Sequence, residues 1–220
     1  DGVMSRGLGD VYKRQIDRHP DEKHVIISTD KDLNQLVNSN VKQYNGVTEQ
    51  TITHEGWFDK KGNAVIDKKT KAPKNAPDIE WIVFEKSMRG DPSDNIFSAY
   101  PGVRTKGTKN KIGLREAFAD RDQKGYTWNN LMLSKWVDPE GKEHRVLEDY
   151  ERNRLLVDLH AQPEPIVQGL DQTIDQAKAE NKSIDQVGVR FMKFCAKYDL
   201  NRISEQAQLY VEPFNARLTA

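Results

Sequence analysis

At 220 residues the chain suffices for one large domain or two small ones, and its 34 basic and 34 acidic residues cancel, so overall charge points to no partner and only local clusters can. Hydrophobic residues make up 36% and charged residues 31%, a polar balance that still supplies aromatics for a core. The single cysteine, Cys195, excludes an internal disulfide or a thiolate metal set and fits a reducing, cytoplasmic setting; no apolar run approaches the ~20 residues of a membrane span, and no secretory signal is visible.

In chain order, the opening "DGVMSRGLGDVYKRQ" (1–15) has three glycines and no sustained apolar period, so it reads as a leader foreign to the fold. "HVIISTD" predicts a short buried strand over Val25 to Ile27, closed by small polar residues. "DLNQLV" suggests a helical turn and "NVKQYN" a second strand. Thr51, Ile52 and Thr53 favour strand and Lys61-Gly62-Asn63 a turn, which predicts a hairpin from about Gln50 to Asp67. "KKTKAPKNAP" is basic and contains proline, a linker and candidate boundary.

Beyond it the pattern turns helical. Asp78 caps a helix through "IEWIVFEKSMR" that Gly90 stops. "KNKIGLREAFADR" predicts a second helix, with Ile112, Leu114 and Phe118 for burial, and "RVLEDYERNRLLVDL" a third. Val187, Phe191, Phe194, Cys195 and Tyr198 recur at helical spacing, and Ile203, Ala207, Val211 and Phe214 repeat most of it. Both predict amphipathic helices with one buried face, and Cys195 as a core residue. There are no internal repeats or low-complexity tracts.

Asp30 and Asp32, in "STDKD", directly follow the first strand. Residues i and i+2 of an extended chain point to the same side, and open α/β sheets gather ligands at the carboxyl ends of their strands. Two acids there can share a hard divalent cation; they equally suit a solvated strand end with a helix cap. "DKDLN" imitates the start of a calcium loop, but Gln35 and Val41 stand where that loop needs Gly and Glu. Asp91 followed by Pro92 is a good helix start, with Asp94 near the positive end. Capping alone explains both, yet a cap uses one acid, and two acids one turn apart can face a metal together. No serine nucleophile set stands out, and His19, His24, His54, His144 and His160 lack zinc-ligand spacing.

From Arg104 to Arg115 the cations Arg104, Lys106, Lys109, Lys111 and Arg115 stand without an acid, interspersed with Gly102, Gly107 and Gly113. A Gly-rich turn leading into a helix offers backbone N–H groups to a phosphate, and lysines and arginines add attraction without reading bases. An ordinary solvated basic loop is the plainer reading. Taken together, acids that hold cations on one phosphate and bases that hold its neighbours describe a metal-dependent nuclease.

"IISTDKDLNQLV" followed by "MRGDPSDNIFSAYPGV" resembles the 5′-nuclease superfamily of flap endonucleases and 5′-3′ exonucleases. "NVKQYN" and "DYERNRLLVDL" narrow the resemblance to the ribonuclease H of T-even-type phages; it covers roughly His24 to Ala220. It implies an α/β plus α fold: part of a Rossmann-like (PIN-like) sheet with a β-hairpin over 16–77, then a helix-three-turn-helix and helical region over 78–220. By the same resemblance Asp30, Asp32, Asp91 and Asp94 match acids of the catalytic metal centre. "PGVRTKGTKNKIG" matches the element that grips the duplex backbone, through Gly102, Arg104, Lys106, Lys109, Lys111 and Arg115, often with a monovalent cation. The family's tight Gly-Val-x-Gly-x-Gly run is stretched here, with Arg104 and Lys106 where small residues are usual. The family's first metal-binding strand, helical arch and further acidic cluster do not fit ahead of Asp30, so the chain is expected to be a carboxyl-terminal part.

The resemblance implies phosphodiester hydrolysis with two Mg2+ ions, or Mn2+, acting on DNA with a 5′ flap or an RNA–DNA hybrid during replication, in a phage-infected host cell if phage-encoded. It implies a monomer without membrane contact, with a single-strand-binding protein or clamp as partner. With half the metal site missing, the alternative is a structure-specific DNA-binding module without catalysis. A third reading, a helical protein whose acids are only caps, predicts no Mg2+-dependent DNA interaction.

Overall fold

The computed structural model describes residues 2–109, 111–180 and 186–215. The chain divides into two compact units, 1–171 and 172–220.

The first unit is mixed α/β. Helix α1 (Gly2–Arg18) leads into β1 (His24–Ile27), and a 3-10 turn over Asp32–Leu36 leads to β2 (Val41–Asn45). Strands β3 (Gln50–Ile52) and β4 (Trp57–Phe58) complete a sheet of order β1-β2-β3-β4. β1 and β2 run parallel, with His24 opposite Val41 and Ile27 opposite Tyr44, and the other pairs are antiparallel. β1 is not the buried strand expected: Ile26 is inside, but Val25 and Ile27 are 52% and 75% exposed. One face of the sheet is covered and the other open. The single hairpin expected over 50–67 is instead the start of a meander, since β4 continues through Phe58–Ala64 and Ile66–Pro73 bridges. The Asp59 and Asp67 carboxylates fold the two turns by accepting backbone N–H groups of Lys61, Asn63, Lys69 and Thr70.

The opening segment, set apart above as a leader, takes part in the packing. Tyr12 and Ile16 of α1, with Leu159, lie on the cluster of Ile26, Leu33, Leu36 and Val41. A Cβ on Gly9 would meet Leu159 Cδ2 at 3.3 Å. That face reads Gly, Tyr, Ile at helical spacing, and a glycine serving close approach hides the apolar period.

The main core lies under α2 (Ile79–Arg89), α3 (Leu114–Ala119), α4 (Tyr126–Met132) and α5 (Val146–Val157). Trp81, Phe84, Met88, Leu114, Phe118, Leu131, Met132, Val146 and Tyr150 are buried together. Trp81 meets Phe118 edge-on at 5.2 Å between centroids, an arrangement that suits the ring quadrupoles. Helix α3 is shorter than the predicted Lys109–Arg121, because Thr108 and Lys111 bridge and Gly113 begins the helix. A hairpin absent from the sequence reading, β5 (Lys135–Val137) with β6 (Glu143–Arg145), precedes α5. His144 stacks on Trp136 there, between the carboxylates of Asp138 and Asp149, each 3.0 Å away. The unit boundary falls within α6 (Glu164–Ala179).

The second unit contains α7 (Val187–Lys197), α8 (Asn201–Ser204) and α9 (Ala207–Asn215). Cys195 and Val211 are buried, Cys195 as expected of a core residue. Phe194 and Tyr198, placed on the same buried face by their spacing, are 50% and 54% exposed; α7 turns only Cys195 fully inward. The expected last helix is broken into α8 and α9, and the side chain of Phe214 lies outside the described residues.

Candidate metal centre

The carboxyl end of β1 runs into a tight turn. Ser28 Oγ accepts the Asp30 N–H, and Asp30 Oδ1 accepts the Asp32 N–H at 2.9 Å. From β2, the buried Gln43 donates to the carbonyls of Ser28 and Asp30, which fixes the turn to the sheet. Because Lys31 is helical rather than extended, the alternation of a strand is not what brings Asp30 and Asp32 to one cavity. Asp30 stays exposed and caps the turn, while Asp32 turns toward α2.

The second pair of acids sits just past α2. Asp78 caps that helix by accepting the Trp81 N–H, as expected, and Gly90 ends it with φ 74°. A Cβ on Gly90 would lie 2.3 Å from Ile96 O, so only glycine fits. The chain then closes a small loop in which Asp91 and Ile96 exchange backbone hydrogen bonds of 2.8 and 2.9 Å. Asp91 and Pro92 start a single 3-10 turn, Pro92–Asp94, not a longer helix. The buried Asn153 of α5 anchors the loop by donating to the carbonyls of Ser87 and Phe97.

This folding brings Asp32, Asp91 and Asp94 together, with one oxygen from each within 4.8 Å of the others. Asp30 is not in that triad but lines the same cavity of about 310 Å3, with Asp32, Asp94, Lys86 and Ser93. Between the three acids stands Lys86, which the sequence reading did not single out. Its Nζ donates to Asp32 and lies 2.7 Å from Asp91 Oδ2 and 3.9 Å from Asp94 Oδ2. Burial opposes the Lys86 charge, but the hydrogen bonds to Asp32 and Asp91 outweigh it and raise the pKa. Burial likewise opposes ionisation of Asp91, yet Lys86 and the Ser93 hydroxyl and N–H hold its carboxyl at about 2.

The basic segment forms a different feature. Gly102, Arg104, Lys109 and Lys111 line a groove of about 830 Å3 with Tyr100 and Asn130. Lys106 and Arg115 are not among the lining residues. The Arg115 guanidinium lies over Trp81, 3.5 Å from the ring centroid, which is a cation–π contact on the core. The backbone cradle expected for a phosphate is also filled from within. The Glu116 carboxylate accepts the N–H of Gly107 at 3.0 Å and of Gly113 at 3.1 Å. Its own backbone N–H, then that of Gly107, lower its pKa. A glutamate three residues past a helix start is a capping-box signal in the sequence.

No protein-family model matches the chain, and no curated protein matches it. Among solved structures, it is similar to 5′-nucleases of bacteriophage T5. One is a mutant T5 5′-exonuclease, 17% identical, with a TM-score of 0.44, covering 76% of this chain and 64% of that one. Another is a bacteriophage T5 flap endonuclease in a pseudo-enzyme–product complex with DNA and metal ions, 17% identical, TM-score 0.41, covering 77% of this chain and 58% of that one. The chain thus spans less than two thirds of the length of either.

Proposed function

We propose that this chain carries the metal-binding and strand-holding parts of a 5′-3′ exonuclease or flap endonuclease that hydrolyses phosphodiesters in DNA or RNA–DNA hybrids. The observation that carries this reading is the meeting of Asp32, Asp91 and Asp94 at the carboxyl end of β1. Three half-buried carboxylates with oxygens within 4.8 Å suit a hard divalent cation such as Mg2+ or Mn2+. The Lys86 ammonium already bonded among them is a stand-in cation, which supports the fit. When bound, such an ion supplies an activated water and neutralises charge at the phosphate.

The chain's own residues do the rest. Asp32, Asp91 and Asp94 would hold one ion, and Asp30, on the shared cavity, is the described ligand nearest to hand for a second. Arg104, Lys109 and Lys111 would hold the neighbouring phosphates of the strand as point charges. Gly107 and Gly113 contribute through shape, since Glu116 takes their N–H groups.

The test is incubation of the chain with a labelled 5′-flap duplex and Mg2+. Mg2+-dependent cleavage that disappears when Asp91 and Asp94 are both replaced by Asn supports the reading, and full activity in that variant ends it. A second reading has Lys86 in its favour. If its ammonium fills the acid site permanently, the chain is a structure-specific DNA-binding module, and retention of the duplex without cleavage selects that outcome.

A further inference from the structure

Lys86 reaches the acid cluster from the last turn of α2, and its side chain is 17% exposed. It is hydrogen-bonded at once to acids from two separate segments, Asp32 beyond β1 and Asp91 in the loop after α2, and lies within ion-pair reach of Asp94 at 3.9 Å. A divalent ion shared by the same three carboxylates needs the same space. It would sit about 2.1 Å from oxygens to which the ammonium now donates at hydrogen-bond distance. Two cations that close, away from bulk water, repel strongly. The lysine stem has four rotatable carbons, and the adjoining cavity of about 310 Å3, lined by Lys86 and the exposed Asp30 carboxylate, gives the ammonium somewhere to go without backbone movement.

We propose that the Lys86 ammonium and a divalent metal ion are alternative occupants of the Asp32–Asp91–Asp94 site, so that Lys86 holds the site together without metal and sets how tightly metal binds. The inference rests on the reading of these acids as a metal site. In the metal-free chain Lys86 screens three carboxylates that would otherwise repel one another across 4.8 Å or less. Binding of the ion must first displace that internal charge, which weakens the apparent affinity and makes loading a switch between two bonded states.

The test compares Mn2+ binding, followed by the electron paramagnetic resonance of free Mn2+, and thermal melting with and without Mn2+. The chains are wild type, Lys86→Gln, Lys86→Met, Lys86→Arg and Asp94→Asn. Both neutral variants should bind Mn2+ at least about tenfold more tightly than wild type, melt lower without metal, and gain more from added metal. Lys86→Arg keeps the charge and should stay within roughly threefold of wild type. Unchanged or weaker binding in the neutral variants, while wild type binds and Asp94→Asn does not, overturns the inference and leaves the metal site standing. Absence of Mn2+ binding in wild type and neutral variants alike removes the metal site and the inference with it. Neutral variants that fold only with Mn2+ support exchange of the two cations; failure to fold even in millimolar Mn2+ overturns it, because the ion would not then replace the ammonium.

Discussion

Asn153 Nδ2 donates to the carbonyl of Phe97 at 2.7 Å, and the same amide reaches the carbonyl of Ser87 at 2.9 Å. One fully buried side chain of α5 thereby clamps both ends of the loop that carries Asp91 and Asp94. Replacing Asn153 by Ala orphans the buried carbonyl of Ser87, frees the part-buried one of Phe97 and leaves a void. Urea unfolding should report a loss of about 2–3 kcal/mol. Metal binding should weaken as well; a variant with full stability and full metal affinity would show that the clamp is idle.

Gly90 and Gly62 make a controlled pair. Both have positive φ, 74° and 81°, but a Cβ on Gly90 would sit 2.3 Å from Ile96 O, whereas one on Gly62 meets nothing within 4 Å. Gly62→Ala should cost about 1 kcal/mol. Gly90→Ala should cost at least about 3 kcal/mol, because the loop that carries Asp91 and Asp94 must itself move. Equal melting temperatures for the two variants would contradict the close approach.

The groove predicts two kinds of cation. Lys109→Ala and Lys111→Ala should weaken duplex binding and each reduce the slope of log affinity against log salt by about 1. Arg115→Ala should leave that slope unchanged and lower the melting temperature instead, since its guanidinium covers Trp81. A salt slope that falls with Arg115 and not with the lysines would reverse the assignment.

Asp120 offers a pH signature away from the acid cluster. Its carboxylate accepts the Thr127 hydroxyl and the N–H groups of Thr127 and Trp128, capping α4. The Thr127 hydroxyl, then the Trp128 N–H, lower its pKa below the ordinary 3.8. A lowered folded value means that the stabilisation is complete above 3.8 and fades as pH falls below it. Asp120→Asn should therefore be less stable than wild type at neutral pH, with the gap narrowing in acid. Denaturant midpoints that stay equally separated down to the most acidic point would speak against this.

Local pattern made much of this readable. The apolar run before "STDKD", the Asp78 cap and the Gly90 stop each depend on neighbours in sequence, and each appears where those neighbours put it. The convergence of Asp32 with Asp91 and Asp94 was legible only as two separate pairs, because what joins them is the packing of the Asp32–Leu36 turn against α2. Lys86 was invisible for the same reason: a lysine late in an amphipathic helix looks like any solvated cation until the acids arrive. The extended geometry expected between Asp30 and Asp32 fails because Lys31 is helical, which breaks the alternation of an extended chain. The β5–β6 hairpin had a local signal, "DPEG" between short alternating runs, that the reading passed over.

The Glu116 carboxylate, folded back onto the N–H groups of Gly107 and Gly113, has a kinetic side. A loop that wraps its own anion holds its curvature before any other molecule approaches. On the proposed function, part of the ordering entropy of the glycine-rich turn is then met during folding rather than at encounter, and an incoming polyanion would find a preformed rim of cations. Association should be fast and steered by charge, slowing steeply as salt is added, without the lag of a segment that must first take shape.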